Sequence, residues 1–567
     1  MKKIALDSVF ILVTCLSLMA CTDYFETDSG TALKTDGQVY SNEQEARSGL
    51  FGLLQGLQTI GDNYVIMGEL RGDLMTVTDN SSQDLHDINN FEVSKDNPYL
   101  KERAYYALLN NCNYYISKLD TTVTSLSNGK AEKVLYPYMA EAKAIRAWTY
   151  LQLCLDYGKV NYTTKPLLDA SATDSTKELD LDALLPLLIN DLETVLPWMS
   201  SSDTPLSSAW IAGNADPGFA SSVSYESYMA RQLMLPVRFV LGELYMWQED
   251  FYKAAQTYYD LIYLDKLKMS GSRNLLDITG TYLSSKNWPN QFSSFNYPDI
   301  LTAIAFTDDY KNNASNLHDM FNTSYVLAPS TALINTFDEQ YYYTGTKTVS
   351  GDLRGQTGTY TTKTTTIGEK DVAYPYVTKF NYLYANGDYY ISPCRAALIY
   401  LRYAEAVNRL GKPKFAFYGF LKFGLCEYNI DLYKDKDALS GEINGEPYIE
   451  FGQSNPEGQV ASIFSGNTYG MHSRGCGYTE RNESYQMETC ASLHDSIEWV
   501  EDQLMTEYVL ETALEGNRFH DLMRIARYRG DNTYLARKVS AKFPEGQRTS
   551  VYNKLLNKDN WYLPSIK

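Results

Sequence analysis

The chain has 567 residues, 44% of them hydrophobic and 21% charged; this composition excludes a disordered polymer, and the length exceeds the roughly 250–300 residues at which single cores stop growing. Fifty basic residues against 69 acidic ones leave a net charge of −19, which disfavours a phosphate backbone and removes nucleic acid as a partner. Tyrosine is the outlier, with 48 Tyr against 21 Phe and 7 Trp. Its flat apolar face and polar tip suit half-wet surfaces and ligand platforms, although most tyrosines must simply pack between helices.

At the N-terminus, Lys2 and Lys3 precede an apolar run from Val9 to Ala20 that is too short for a bilayer span of about 20 residues. The run closes Leu18-Met19-Ala20-Cys21, which resembles the lipobox of bacterial lipoproteins, with Cys21 as the lipidated new N-terminus. An ordinary signal peptide cut near Ala20 is the alternative. Loss of residues 1–20 removes Lys2, Lys3 and Asp7, taking the charge from −19 to −20. Six cysteines then remain besides Cys21, with no CxxC pair and no zinc-ribbon spacing. Cys112 and Cys154 sit in apolar helical patterns, whereas Cys476 and Cys490 share one polar stretch in which they could pair.

Residues 21–40 read as a polar, acidic tether. Ser41-x-x-Gln44 is a capping box, and Ala46, Leu50, Leu53, Leu54 and Leu57 behind it keep a helical stripe. A polar loop from Arg71 to Pro98 follows, then helices at 100–119, 138–155 and 180–196, the last opened by Asp180 and Asp182. A loop at 200–224 holds Trp210; helices are expected at about 227–247 and 250–264, with Asp250 as N-cap. From 266 to 394 the helical signal collapses into Gly, Ser, Thr, Asn and Tyr, a stretch too long to be one loop. Helices resume at 395–410, 491–515 and 521–528. The expected organisation is a signal peptide at 1–20, a tether at 21–40, helical repeats at 41–265, an irregular region at 266–394, and helical repeats with loops at 395–567. The fold class is mainly α, a tetratricopeptide-like scaffold of stacked helical hairpins carrying a large irregular subdomain.

Enzyme motifs are scarce: HExxH, GxSxG, GxxxxGK[ST] and GxGxxG are all missing, and no two of the five histidines share helical ligand spacing. No catalytic residue and no cofactor is therefore assigned, and a metal ligand set is not readable. With 69 acids, a glycosidase carboxylate pair cannot be picked out by spacing.

Four segments in order resemble one family. They are Ala140-Glu141-Ala142-Lys143-Ala144-Ile145-Arg146-Ala147 with Asp156-Tyr157-Gly158; Arg238 to Tyr245 with Asp250 to Ala255; Arg395 with Leu401 to Ala406; and Leu514-Glu515-Gly516-Asn517-Arg518-Phe519-His520-Asp521-Leu522-Met523-Arg524. Together, behind the lipobox, they are similar to the SusD/RagB-like family. The sequence departs from that pattern at Tyr508 after Glu507 and at Lys159-Val160-Asn161 after Gly158. The resemblance implies a lipid-anchored cell-surface protein of the outer membrane that captures a nutrient oligosaccharide and acts as lid for a SusC-like TonB-dependent transporter. Peptide uptake by the same lid is the alternative, and a surface glycoside hydrolase a lesser one. The motif residues Arg146, Glu405, Arg518 and Asp521 lie in apolar helical surroundings and are expected to be paired scaffold charges. Ligand contacts are expected instead in loops that offer aromatic faces beside hydroxyl-bonding groups: Asp73, Asp79, Asn80, Trp210, Trp288 and Arg354.

Overall fold

The computed structural model describes residues 39–127, 130–168, 176–199, 233–264, 288–292, 299–307, 315–343, 346–367, 370–381, 388–422, 446–449, 470–476 and 485–565. The signal peptide, Cys21, most of the tether and Trp210 lie outside them. Thirteen helices carry the scaffold among the described residues: α1 Glu43–Leu70, α2 Gln83–Asn89, α3 Glu102–Lys118, α4 Tyr136–Tyr157, α5 Leu181–Glu193, α6 Val237–Gln248, α7 Phe251–Tyr259, α8 Thr331–Asp338, α9 Ala396–Arg409, α10 Leu493–Thr512, α11 Arg518–Arg529, α12 Asn532–Ser540 and α13 Glu545–Leu555. Successive helices pack as hairpins: α3 on α4, α6 on α7, α12 on α13; α9 then joins α7 to α10. The expected mainly α fold is what forms, with no closed sheet among the described residues.

Local sequence explains most helix boundaries. In α1 the predicted stripe, Ala46, Leu50, Leu53, Leu54 and Leu57, is buried. Its cap lies one residue beyond Ser41: Asn42 accepts from the Glu45 N–H at 3.0 Å, while the Glu45 carboxylate reaches back to the Ser41 N–H at 3.2 Å. Asp180 and Asp250 cap α5 and α7 as expected. The helix expected at 227–247 begins, in its described part, only at Val237, because Pro236 supplies a preset φ and no N–H at the boundary. Two glycines allow a backbone contact no other residue permits. A Cβ on Gly68 would lie 1.8 Å from the Gly516 carbonyl oxygen, and Gly516 itself has φ +103° with Tyr64 against its Cα.

The region 266–394, too long for one loop, holds short strands among its described residues. Ile300–Thr307 pairs antiparallel with Asp388–Arg395, and Tyr360–Ile367 forms a hairpin with Lys370–Val377. Within the supposed loop 71–98 there are a strand, Met75–Val77, paired with Leu327–Pro329, and the helix α2.

Buried charges weld the irregular region to the scaffold. Arg354 is fully buried, its guanidinium held by Asp352 at 2.9 Å, Glu507 at 2.6 Å and Glu511 at 2.8 Å. Arg395 bonds Glu515 at 2.7 Å and also pairs with Asp299, and the Lys379 ammonium meets Glu515 at 2.5 Å. The motif charges behave as expected: Arg146 bonds Asp191 at 2.6 Å, Arg524 bonds Glu405 at 2.7 Å, and Asp521 bonds both Arg402 and Arg524. Such charges survive burial because each is paired and hydrogen-bonded.

Candidate functional site

Three of the loop residues expected to meet ligand are instead part of the interior. Asp73 is buried, and Arg518 grips both its oxygens at 2.6 and 2.8 Å. Burial penalises its charge, but the guanidinium and neighbouring Lys538 outweigh that and hold the carboxyl below its ordinary range. Trp288 is fully buried; its indole N–H donates to Thr359 Oγ1 at 3.1 Å and its ring meets Phe292 edge-on. Arg354 belongs to the ion network above. The correction has one cause. Residues that suit a sugar also suit a buried network, and these three have protein partners in place of solvent.

Asp79 and Asn80 are exposed on the loop after Met75–Val77. Asn80 donates its amide to the Ser324 carbonyl at 3.2 Å, Thr78 its hydroxyl to the Tyr325 carbonyl at 2.5 Å, and Ser81 its hydroxyl to the Val326 carbonyl at 2.5 Å. This loop therefore clasps the segment 324–326. Tyr325 is held there at φ +47°, a left-handed conformation rare outside glycine. Its ring stacks on Tyr376 at 4.4 Å and meets Tyr374 edge-on at 6.2 Å; its hydroxyl donates to the Pro375 carbonyl at 3.0 Å. Lys363 completes the group, its ammonium 4.3 Å from the Tyr376 ring centre. Strand alternation puts Tyr374 and Tyr376 on one face of the hairpin. Burial pushes the Tyr325 hydroxyl up to about 12, so it stays a neutral donor.

The Val326 N–H donates to the Met320 carbonyl at 2.8 Å, and Met320 is a wall of a cleft of about 770 Å³, the size of a small-ligand site, which the tyrosine group itself does not line. Its walls are Gln58, Thr59, Asp62, Asn63 and Ile66 of α1, Ser82 and Asp84 of α2, Pro98, Tyr99 and Lys101, and Asn316, Asp319 and Met320. Several wall positions are fixed by hydrogen bonds. Asp62 accepts from the Ser315 hydroxyl at 2.5 Å and the Asn316 N–H at 2.7 Å, and burial raises its carboxyl above the ordinary range despite those bonds. Asn63 donates to the Tyr99 carbonyl at 2.6 Å. Asn97 accepts from the Tyr99 N–H at 3.0 Å and donates to the Asp84 carbonyl at 2.9 Å, closing the turn between α2 and α3. The side chains of Asp84, Lys101 and Asp319 make no hydrogen bond or ion pair with other described residues, so their heads are left for solvent or ligand. None of the expected contacts among the described residues lines this cleft; Asp79 and Asn80 are exposed on the loop that leads to its Ser82 wall, and Trp210 lies outside the described residues. Asp62, Asp84, Tyr99, Asn316, Asp319 and the Tyr325 group are not singled out by sequence reasoning. The alternation Val372-x-Tyr374-x-Tyr376 is the one local signal that points to them.

One array outside the cleft has the order of a nucleophilic triad: Cys476 Sγ lies 3.2 Å from His472 Nε2, and His472 Nδ1 lies 3.0 Å from Glu507. The thiol is fully buried, and burial followed by the Asp352 carboxylate at 3.5 Å pushes its pKa well up. It is a core contact. Cys476 and Cys490 are separate free thiols. No helix among the described residues is long and apolar enough to cross a membrane.

No protein-family model matches the chain. The SusD-like protein P2 of Formosa agariphila is 25% identical over 260 residues, which are 45% of this chain and 45% of that protein. The chain thus matches less than half the length of that relative. A SusD superfamily protein from Bacteroides thetaiotaomicron superposes with a TM-score of 0.54 at 18% identity, over 89% of this chain and 94% of its own. Surface glycan-binding protein A from Bacteroides uniformis gives 0.55 at 16% identity, over 92% and 96%. The described fold is thus similar over most of the chain to that of SusD superfamily structures, and 260 of its residues are similar in sequence to a SusD-like protein.

Proposed function

We propose that this chain is a non-catalytic, lipid-anchored surface protein that captures a nutrient oligosaccharide and caps a SusC-like TonB-dependent transporter. The observation that carries the reading is the polar cleft between α1, α2 and residues 316–320, whose Met320 wall is joined by the Val326 N–H to the segment that carries the Tyr325, Tyr374 and Tyr376 group. Sugars offer hydroxyls in pairs and apolar ring faces. The cleft answers with Asp84, Asn316 and Asp319, and the tyrosine group with aromatic surface. The likeness in fold to surface glycan-binding protein A of Bacteroides uniformis supports the same class of ligand. Cys21 supplies the anchor, residues 1–20 are the cleaved signal, and 21–40 tether the scaffold to the membrane.

Glycan-array screening of the chain without residues 1–21, followed by calorimetry and product analysis, tests the proposal. The expected result is micromolar binding of an oligosaccharide with no product released, weakened at least tenfold by Tyr99→Ala together with Asp84→Asn. Peptide binding in place of glycan would transfer the lid role to peptide uptake. Turnover of the ligand would overturn the binding-only reading.

A further inference from the structure

Asp62 ties two walls of the cleft together. It stands on α1, and both its oxygens are engaged by the opposite wall: Oδ1 accepts from the Ser315 hydroxyl at 2.5 Å and Oδ2 from the Asn316 N–H at 2.7 Å. Those donors open the helical turn 317–323, whose first N–H groups have no acceptor inside the helix. Ser315 Oγ in turn accepts from the Leu317 N–H at 3.3 Å, and the Met320 N–H donates to the Asn316 carbonyl at 3.0 Å. Asp62 therefore does from another helix what an N-cap aspartate does within its own, and its charge is well placed at a helix start. Behind the cap, Asp319–Thr323 winds as a π-helix, a form frequent at functional sites. Asn316, Asp319 and Met320 line one side of the cleft, and Thr59 and Ile66 line the α1 side. The spacing of those sides is set where Asp62 makes its bonds.

We infer that Asp62 is a positioning residue of the cleft: its ionised carboxylate, capping the turn 317–323 from α1, fixes the separation of the two walls and with it the affinity for ligand. The inference rests on the reading of the cleft as an oligosaccharide site. A carboxylate accepts both bonds at once; after protonation one oxygen is a hydroxyl, and one donor of the far wall loses its acceptor. Burial raises the Asp62 carboxyl above its ordinary range, so the fold carries this charge at a cost in stability. That cost is absent below pH 3.8 and grows as the pH rises through the folded value. A charge kept against such a cost fits a site better than a packing position. The other titratable groups of the surrounding elements are His318 and Asp319 on the turn, Asp84 on α2, and Tyr99 and Lys101. All are common to wild type and Asp62→Asn, so the difference between those two proteins reads Asp62 alone.

Two measurements on wild type, Asp62→Asn and Ser315→Ala test this. Hydrogen exchange without ligand follows the amides of 316–320 at pH 7, and is expected to be about tenfold faster in Asp62→Asn than in wild type. Calorimetry from pH 7 down to about 4 then measures the affinity for each neutral oligosaccharide retained on the array. At pH 7 Asp62→Asn is expected to bind about tenfold more weakly than wild type, with the gap closing as acid protonates the wild-type carboxylate. Ser315→Ala keeps the Asn316 bond, so it loses less, about threefold, and retains the pH dependence. A gap that stays constant down to the lowest pH marks a packing role and overturns the inference, as does unchanged exchange in Asp62→Asn. Either result leaves the cleft reading standing. If no oligosaccharide binds wild type, the glycan reading fails and the control of affinity by Asp62 falls with it.

Discussion

Glu141 offers a sharp test of how this scaffold handles charge. It lies in α4, 4% exposed, and its Oε1 accepts from the Leu235 N–H at 2.6 Å, with no cation in contact among the described residues. Burial raises its carboxyl from 4.5 to about 8, only partly countered by that hydrogen bond. The folded protein therefore carries Glu141 protonated at neutral pH, whereas the unfolded chain ionises it. Its contribution to stability is fully present below pH 4.5 and is lost as the pH rises towards 8. At about 1.4 kcal/mol per pH unit, folding at pH 7 is penalised by roughly 3 kcal/mol relative to a neutral isostere. Glu141→Gln keeps an oxygen for Leu235 and removes the protonation. It should stabilise the protein by about 3 kcal/mol at pH 7, with the gap closing towards pH 4.5. Urea unfolding of both proteins at pH 5, 6, 7 and 8 measures this. A gap independent of pH, or a less stable Glu141→Gln, would show that the carboxylate is ionised in the fold and would refute the argument. Glu141→Leu orphans the Leu235 N–H, at a cost of about 1–3 kcal/mol, and should therefore be less stable than Glu141→Gln at every pH.

Asp73→Asn leaves the Arg518 guanidinium buried against a neutral partner, so unfolding should become easier by about 3–5 kcal/mol while glycan affinity of the folded protein, by calorimetry, is unchanged. Trp288→Ala should likewise lower the melting temperature, by a cost of about 3–5 kcal/mol, and leave affinity alone. Lys101 is the single cation among the described cleft walls, set against Asp84 and Asp319, so uronic-acid or sulfated oligosaccharides should bind at least tenfold more weakly than neutral ones at low salt. Calorimetry should show that gap narrowing in the double variant Asp84→Asn, Asp319→Asn. Cys21→Ala should move the protein from the detergent phase to the aqueous phase on extraction, since stable anchoring needs more than one acyl chain and Cys21 is their proposed attachment point.

The scaffold is legible because its signals are local. The stripe from Ala46 to Leu57, the Asp180 and Asp250 caps, and the charges of the α11 motif all declare themselves within a turn or two of helix. Where the apolar stripe is thin the reading fails. In α13 only Val551 and Leu555 are buried, so its sequence carries no core-facing period to mark the helix. The strand pairings escape for a different reason. Met75–Val77 finds Leu327–Pro329 some 250 residues away, and neither segment alternates long enough to announce itself.

The site lies at the far end of that scale. Its walls come from 58–66, 82–101 and 316–320, and no window of sequence contains more than one of them. Chemistry alone could not sort Arg354 and Asp73 from Asp84 and Asp319, because a carboxylate that grips an arginine and one left at a cleft wall have the same letters. Their partners decide it. Glu507 and Glu511 sit four residues apart on the buried face of α10, beside Leu504 and Tyr508, and acids on an apolar helix face demand cations from elsewhere. Among the described residues Arg354 and Arg395 answer that demand, drawn from the irregular region and its last strand. The same long-range pairing that takes those arginines out of solvent anchors the irregular region on the scaffold, and the loop 324–326 is left to meet Thr78, Asn80 and Ser81 at the surface. The exposed loops are therefore the polar residues that remain once the buried charges have found one another.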